Sequence, residues 1–489
     1  MSTTHAISPK RFVARVEAAT PRDRDRYLDF LRVVAILMVI LGHWVVRVIV
    51  EDNGTLEATY LLEVAPQWQW ATLIWQVMPV FFLAGGLVNA QSWRRARAEG
   101  ERADDWVRRR ARRLLFPTLP VLVVLFVAGG LTHATLGQEG LLLGLDVAVV
   151  PFWFLAAYLL VIALTPATLA LHERGRGGLM VGLLLVATLV VDVVRFTVGG
   201  PTVANQPAIA GVNFALVWIV IHQIGYYWAD GRLPTRAGPQ GALFFGALAL
   251  LGLMIGSGLY PLTMVPVEGT GLPNNGGPPS AALIVLGMAQ LGLALLLRQP
   301  IGNWLKRPAA WAPVGLLGPK LISLFLWHQA VMVAVANIAY PLGAMPVTAG
   351  VDATWWWLRP LWVLYCTIPL AIVVLAMRRF DEPPAKVEAR PGRPCQTGLG
   401  VLLFGAGVAA LIGIDMHNQA LPLELPWLAL AAVVASAAGD SSAPPAVDST
   451  TTGPGPGPPP PAACLDAGRG AAPPTSIAGK STAVPGAAD

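Results

Sequence analysis

The sequence predicts an all-α polytopic membrane protein. Three observations carry the prediction: apolar segments of spanning length recur along most of the chain, charges are too few to solvate a soluble surface, and basic residues are confined to alternate loops. A helix needs about 20 apolar residues to cross the hydrocarbon. Ten segments qualify, at about 28–50, 72–91, 115–136, 147–169, 178–198, 208–229, 241–260, 280–298, 317–341 and 355–377. A shorter pair follows at about 397–414 and 421–438, with Glu424 inside its second member. It reads as two further spans, or as one span and a surface-lying helix.

Of the 489 residues, 55% are hydrophobic and 13% charged, against about 25% charged in soluble domains. The net charge of +6 is no signal for nucleic acid, because the basic residues fall in particular loops. Cys366, Cys395 and Cys464 form no CxxC and no metal-type spacing, so neither a disulfide framework nor a metal site is expected. The first 27 residues are polar and basic and contain no short apolar stretch with a cleavage site. The first span is therefore expected to be the anchor rather than a removable signal peptide.

The loops test the span assignment. The first holds Glu51, Asp52, Glu57 and Glu63 and no Lys or Arg. The second is Arg-rich, from Arg94, Arg95, Arg97 and Arg102 to Arg108, Arg109, Arg110, Arg112 and Arg113. Arg174 and Arg176, Arg232 and Arg236, then Lys306, Arg307 and Lys320 mark the later even loops, and odd loops carry almost no positive charge. The exceptions, Arg47, Arg195 and Arg359, sit singly near outer span ends. The positive-inside rule then places the N-terminus in the cytoplasm of an inner (plasma) membrane protein. The chain divides into a basic N-terminus (1–27), a ten-span core (28–378), a cytoplasmic linker (379–396), extra hydrophobic helices (397–438) and a Pro/Gly/Ala-rich tail (439–489). The tail, with its Gly453–Pro461 run, is expected to be disordered.

Ionisable groups inside a span are costly, and each is a functional hypothesis by default. Arg32 and His43, eleven positions apart, share one face of the first span within about 20° and lie about 16 Å apart along its axis. Asp29 falls about 40° from His43 on the same side. One face thus carries a cation near the cytoplasmic surface and a titratable imidazole at depth, which suits an anionic cytosolic substrate threaded into the bilayer. The plainer alternative is an Asp29–Arg32 ion pair and a His43 that only bonds a neighbouring helix. Arg47, one turn beyond, reads as snorkelling to the outer surface. His328 and His222 are each equally consistent with interhelical bonding and with chemistry. The Arg108–Arg113 run is a topology determinant touching anionic lipid, or a phosphate clamp built on guanidinium forks. Trp355-Trp356-Trp357 reads as an interfacial aromatic belt.

Five blocks in order make the chain resemble the acyltransferase-3 family of membrane proteins. These are Arg32 with ten intervening residues to His43; Pro79-Val80-Phe81-Phe82-Leu83-Ala84-Gly85-Gly86-Leu87; Arg110-x-x-Arg113 before Pro117; Trp153-Phe154-Leu155; and Phe325-Leu326-Trp327-His328. The resemblance covers about 27–378. It departs at Gly85, where the family has Ser, and at Phe325, where it has Tyr. It implies an integral membrane transferase that moves an acyl group, such as acetyl, from cytosolic acyl-CoA to a hydroxyl of a glycan, lipid-linked or secreted acceptor. No resident cofactor is implied, and acyl-CoA is a co-substrate. His43 is implied as catalytic, either as general base or as transient acyl carrier. Arg32, Arg110 and Arg113 are implied to hold the donor phosphates, with Asp29, Trp153 and His328 in support. The rival readings are a transporter or flippase whose His and Arg guide a substrate without chemistry, and a membrane sensor whose Arg-rich loop recruits a partner.

Overall fold

The computed structural model describes residues 8–381 except 53, 137–140, 199–201, 204–205 and 267–273. These residues lie in the first of two units, 1–441. The helices expected at 397–438, the tail, and nearly all of the linker lie outside the described residues.

The fold is helical. A short helix, α1 (Pro9–Ala18), precedes α2 (Arg26–Val46), whose start is capped by the Asp25 carboxylate accepting from Leu28 N at 3.1 Å. An antiparallel hairpin follows, β1 (Arg47–Asp52) and β2 (Thr55–Tyr60), and then α3 (Met78–Ala98) and α4 (Ala103–Leu115). The remaining long helices are α5 (Thr118–Leu136), α6 (Phe152–Leu171), α7 (Gly177–Val193), α8 (Asn213–Ala229), α9 (Ala237–Gly256) and α10 (Ala281–Trp304). The last are α11 (Pro308–Leu317), α12 (Leu321–Ala339) and α13 (Ala353–Ala376).

Among the described residues, eight helical stretches are long and apolar enough to cross a membrane. The α4–α5 pair, bent by 42°, makes nine if it counts as one crossing. One of the eight, Val147–Thr197, is 51 residues long. At about 1.5 Å per residue it far exceeds a hydrocarbon core of about 30 Å. Gly175, at φ 77°, breaks it between α6 and α7.

The first span ends earlier than its composition suggests. Helix α2 stops at Val46, and Arg47–Val50, expected in the span, form β1. The β-branched run Val48-Ile49-Val50 suits a strand, and it pairs with β2 from Arg47↔Tyr60 to Asp52↔Thr55. Arg47 consequently does not snorkel outward. It is 8% exposed, with its guanidinium 3.9 Å from the centroid of Tyr60. The Trp run also divides: Trp355 is buried, and Trp357 is exposed.

The Arg-rich loop is largely helical. Helix α3 continues through Arg94, Arg95 and Arg97, and α4 carries Arg108–Arg113. In α4, Trp106, Val107, Ala111, Leu114 and Leu115 are buried on one face. Asp104 and Asp105 stand in its first turn and Arg112 and Arg113 in its last, as the helix dipole favours.

Two glycines fix the closest helix contact. A Cβ on Gly86 would lie 1.9 Å from the His222 carbonyl oxygen, and one on Gly225 2.3 Å from that of Leu83. Helices α3 and α8 therefore touch backbone to backbone, as small residues allow in membrane helices. Gly86→Ala must push them apart, and a loss of about 3 kcal/mol is expected, the upper range for overpacking. Thermal unfolding of purified protein should show it; an unchanged midpoint would mean that the two helices separate freely.

The ends of these helices are tied by charge. Asp230, just beyond α8, accepts from Arg94 Nη2 and His172 Nε2, both at 2.8 Å. Burial pushes its carboxyl up, but the bonds from His172 and Arg94 outweigh this and hold it below the usual carboxylate range.

Candidate active site

Helices α2, α12 and α13 are held together by tryptophans. Trp362 Nε1 donates to the Trp44 carbonyl at 2.8 Å, and Trp44 Nε1 donates to the His328 carbonyl at 3.2 Å. This packing brings together two histidines that lie 285 positions apart. His43 Nδ1 and His328 Nε2 are 2.9 Å apart, and the rings stack at 5.1 Å with 29° between planes. His328 is fully buried and His43 half-buried.

The second nitrogen of His328 settles the tautomers. Its Nδ1 lies 2.5 Å from the Phe325 carbonyl oxygen. A carbonyl only accepts, so Nδ1 carries the hydrogen and donates. In the neutral pair, His328 Nε2 then accepts from His43 Nδ1–H. The lone pair of His43 is left on Nε2, which is the arrangement of an oriented base.

A second cluster gathers the arginines. Arg32 lies 3.9 Å from Asp29 and stands over the Phe81 ring at 5.7 Å. Asp29 is engaged more closely by Arg24, at 2.5 Å. Asp29 is thus a partner of the arginines and is not brought to the histidines. Arg110 donates to Asn89 Oδ1, and Asn89 Nδ2 donates to His222 Nε2 at 3.1 Å. Arg110 also lies within electrostatic reach of Arg32, Arg113 and the Tyr158 hydroxyl.

The arginines of α4 are not equivalent. Arg108 pairs with Asp105 at 2.7 Å and Arg109 with Glu101 at 2.6 Å. Among the described residues no carboxylate pairs with Arg110 or Arg113, and Arg113 is exposed. The two arginines of the Arg-x-x-Arg spacing, like Arg112 between them, thus have no carboxylate partner among the described residues, and Arg110 is held by Asn89.

Aromatic rings fill the space between the clusters. Phe81 meets Phe154 edge-on at 5.1 Å, Phe154 meets Phe325 at 5.0 Å, and Phe325 lies 5.6 Å from His328. Trp153 stacks on Trp218 at 5.7 Å, so it supports this wall from behind and does not touch the histidines. A Cβ on Gly85 would lie 2.9 Å from the Tyr158 hydroxyl. Tyr158 thus places a hydroxyl where a serine at 85 would stand.

Sequence reasoning missed Asn89 and Tyr158. Asn89 was open to discovery as an amide inside an apolar span; the position of Tyr158 follows only from the packing of α6 on α3. A surface cleft of about 580 Å³, lined in part by Ser92, Arg95, Glu101 and Arg109, opens beside α4 and does not reach the histidines.

Residues 25–378 match the family model of the acyltransferase-3 acyltransferase domain. The chain belongs to that family, and with its many apolar helices it is a multi-pass membrane acyltransferase. No curated protein and no solved structure matches it.

Proposed function

We propose that the protein transfers an acyl group from cytosolic acyl-CoA to a hydroxyl of a glycan, lipid-linked or secreted acceptor, with His43 as general base. The observation that carries this reading is the hydrogen-bond chain from His43 through His328 to the Phe325 carbonyl, which leaves His43 Nε2 as acceptor. In the proposed step, Nε2 takes the acceptor's hydroxyl proton while its oxygen bonds to the thioester carbonyl carbon. The carbon–sulfur bond then breaks, CoA leaves as thiolate, and the imidazolium returns the proton to it. His328 accepts from His43 throughout and stabilises the imidazolium, as an orienting partner does.

Arg32, Arg110 and Arg113 would hold the donor phosphates. Arg32 and His43 are about 16 Å apart along α2, a gap that the extended pantetheine arm of CoA can cross. Counting 147–197 as two crossings and α4–α5 as one gives ten; the alternation of basic loops in the sequence supports an N-terminus in the cytoplasm of a plasma membrane, with the donor arginines on that side. A transporter that moved its substrate without proton transfer would make no use of a base oriented in this way.

CoA release by purified His328 variants tests the reading. His328→Ala should slow turnover by about 10²-fold without raising the KM for acetyl-CoA, as misplacing a catalytic group does. His328→Gln, whose side-chain oxygen can accept from His43, should recover part of that loss. Equal rates in wild type and both variants would remove the dyad from the mechanism.

A further inference from the structure

Arg359 in α13 is 5% exposed, and its guanidinium lies 4.1 Å from the centroid of Trp355. Its Nη1 donates to the Arg47 carbonyl and its Nη2 to the Tyr340 hydroxyl, both at the long distance of 3.4 Å. Among the described residues its Nε meets no acceptor. The titratable groups that face it are Tyr340 and Cys366, and no carboxylate pairs with it among the described residues. A buried cation with two stretched bonds to neutral oxygens is poorly compensated, and inside a membrane segment such a group marks a function.

Its position gives that function a direction. Trp362, one turn along the same helix, bonds the Trp44 carbonyl, and Trp44 bonds the His328 carbonyl. The Arg47 carbonyl that Arg359 touches lies four residues past His43, a rise of about 6 Å. Arg359 therefore stands one turn beyond the dyad, on the side opposite Arg32 and Arg110. A second buried guanidinium, that of Arg47, lies in the same region against Tyr60.

We propose that Arg359 heads an anion site on the acceptor side of the dyad, seating a phosphate or carboxylate group. The group belongs to the acceptor substrate or to a lipid headgroup. Assigning it to an acceptor rests on the acyl-transfer reading; the anion site itself does not. Bidentate guanidinium geometry suits either anion.

The test uses the full-length chain in nanodiscs of neutral phosphatidylcholine, with inorganic phosphate titrated against chloride at constant ionic strength. Binding to the folded state should raise the wild-type unfolding temperature saturably, by roughly 3 °C. Arg359→Gln should lose at least half of that rise. If Arg359→Gln does not fold, Arg359→Lys serves instead, and its half-saturating phosphate concentration should rise at least threefold. A second arm replaces part of the lipid with phosphatidylglycerol. A rise seen only there, and lost in the variant, assigns the anion to a lipid headgroup. No rise in either arm, or the same rise in wild type and variant, overturns the proposal. Acetyl-CoA hydrolysis by wild type in the same discs separates the two readings. Hydrolysis without an anion effect defeats the anion site alone; an anion effect without hydrolysis defeats acyl transfer alone.

Discussion

His43→Ala is expected to lower acyl transfer by about 10³-fold, within the range that a positioned general base supplies. Binding of acetyl-CoA should persist, because the donor arginines lie about 16 Å away along α2. Alanine also strands the buried Nε2 of His328 without a donor, which costs roughly 1–3 kcal/mol of stability. His43→Gln separates the two effects. Its amide can still donate to His328, so the unfolding midpoint should stay near wild type, yet no base remains and turnover should fall as far as in the alanine variant. Measured CoA release and thermal unfolding together decide the matter. If His43→Gln transfers at wild-type rate, His43 is a packing residue.

The donor site is the second large effect. Arg110→Ala and Arg113→Ala should each raise the KM for acetyl-CoA by roughly 10–100-fold, since charge-assisted bonds are worth about 1.5–3 kcal/mol. Arg109→Ala, on the same helix but already paired with Glu101, should change KM by less than about threefold, as expected of an exposed ion pair. Steady-state kinetics at fixed ionic strength would show the contrast. Equal losses at all three positions would mean that α4 acts only through its summed charge.

Much of this architecture is legible in the residues. Spanning runs and their alternating loop charges announce a multi-pass protein, and the eleven-residue interval from Arg32 to His43 places both on one helix face. What periodicity cannot supply is contact between distant segments. Nothing local tells that His328 meets His43, or that its own ring is oriented by the carbonyl three residues earlier. Likewise, the contact of Gly86 with the His222 backbone, which sets Asn89 against His222, exists only once α3 and α8 pack.

The hairpin is a different kind of miss. Asn53-Gly54 between β-branched residues is a strong short-range hairpin signal. It was masked because Val48-Ile49-Val50 extend the apolar run of α2 without a break. Hydropathy reads length, and here the backbone changes from helix to strand inside one continuous apolar segment. The burial of Arg47 and Arg359 follows from that fold-back, so their chemistry was hidden with it.

The most direct test of the central claim is equilibrium binding and turnover of radiolabelled acetyl-CoA, followed by longer acyl-CoAs, by the purified wild-type chain in a bilayer. Saturable binding and slow release of CoA are expected even without acceptor, as water takes the acceptor's place. Absence of binding to every acyl-CoA tried would contradict the donor assignment and move the transporter reading to the front.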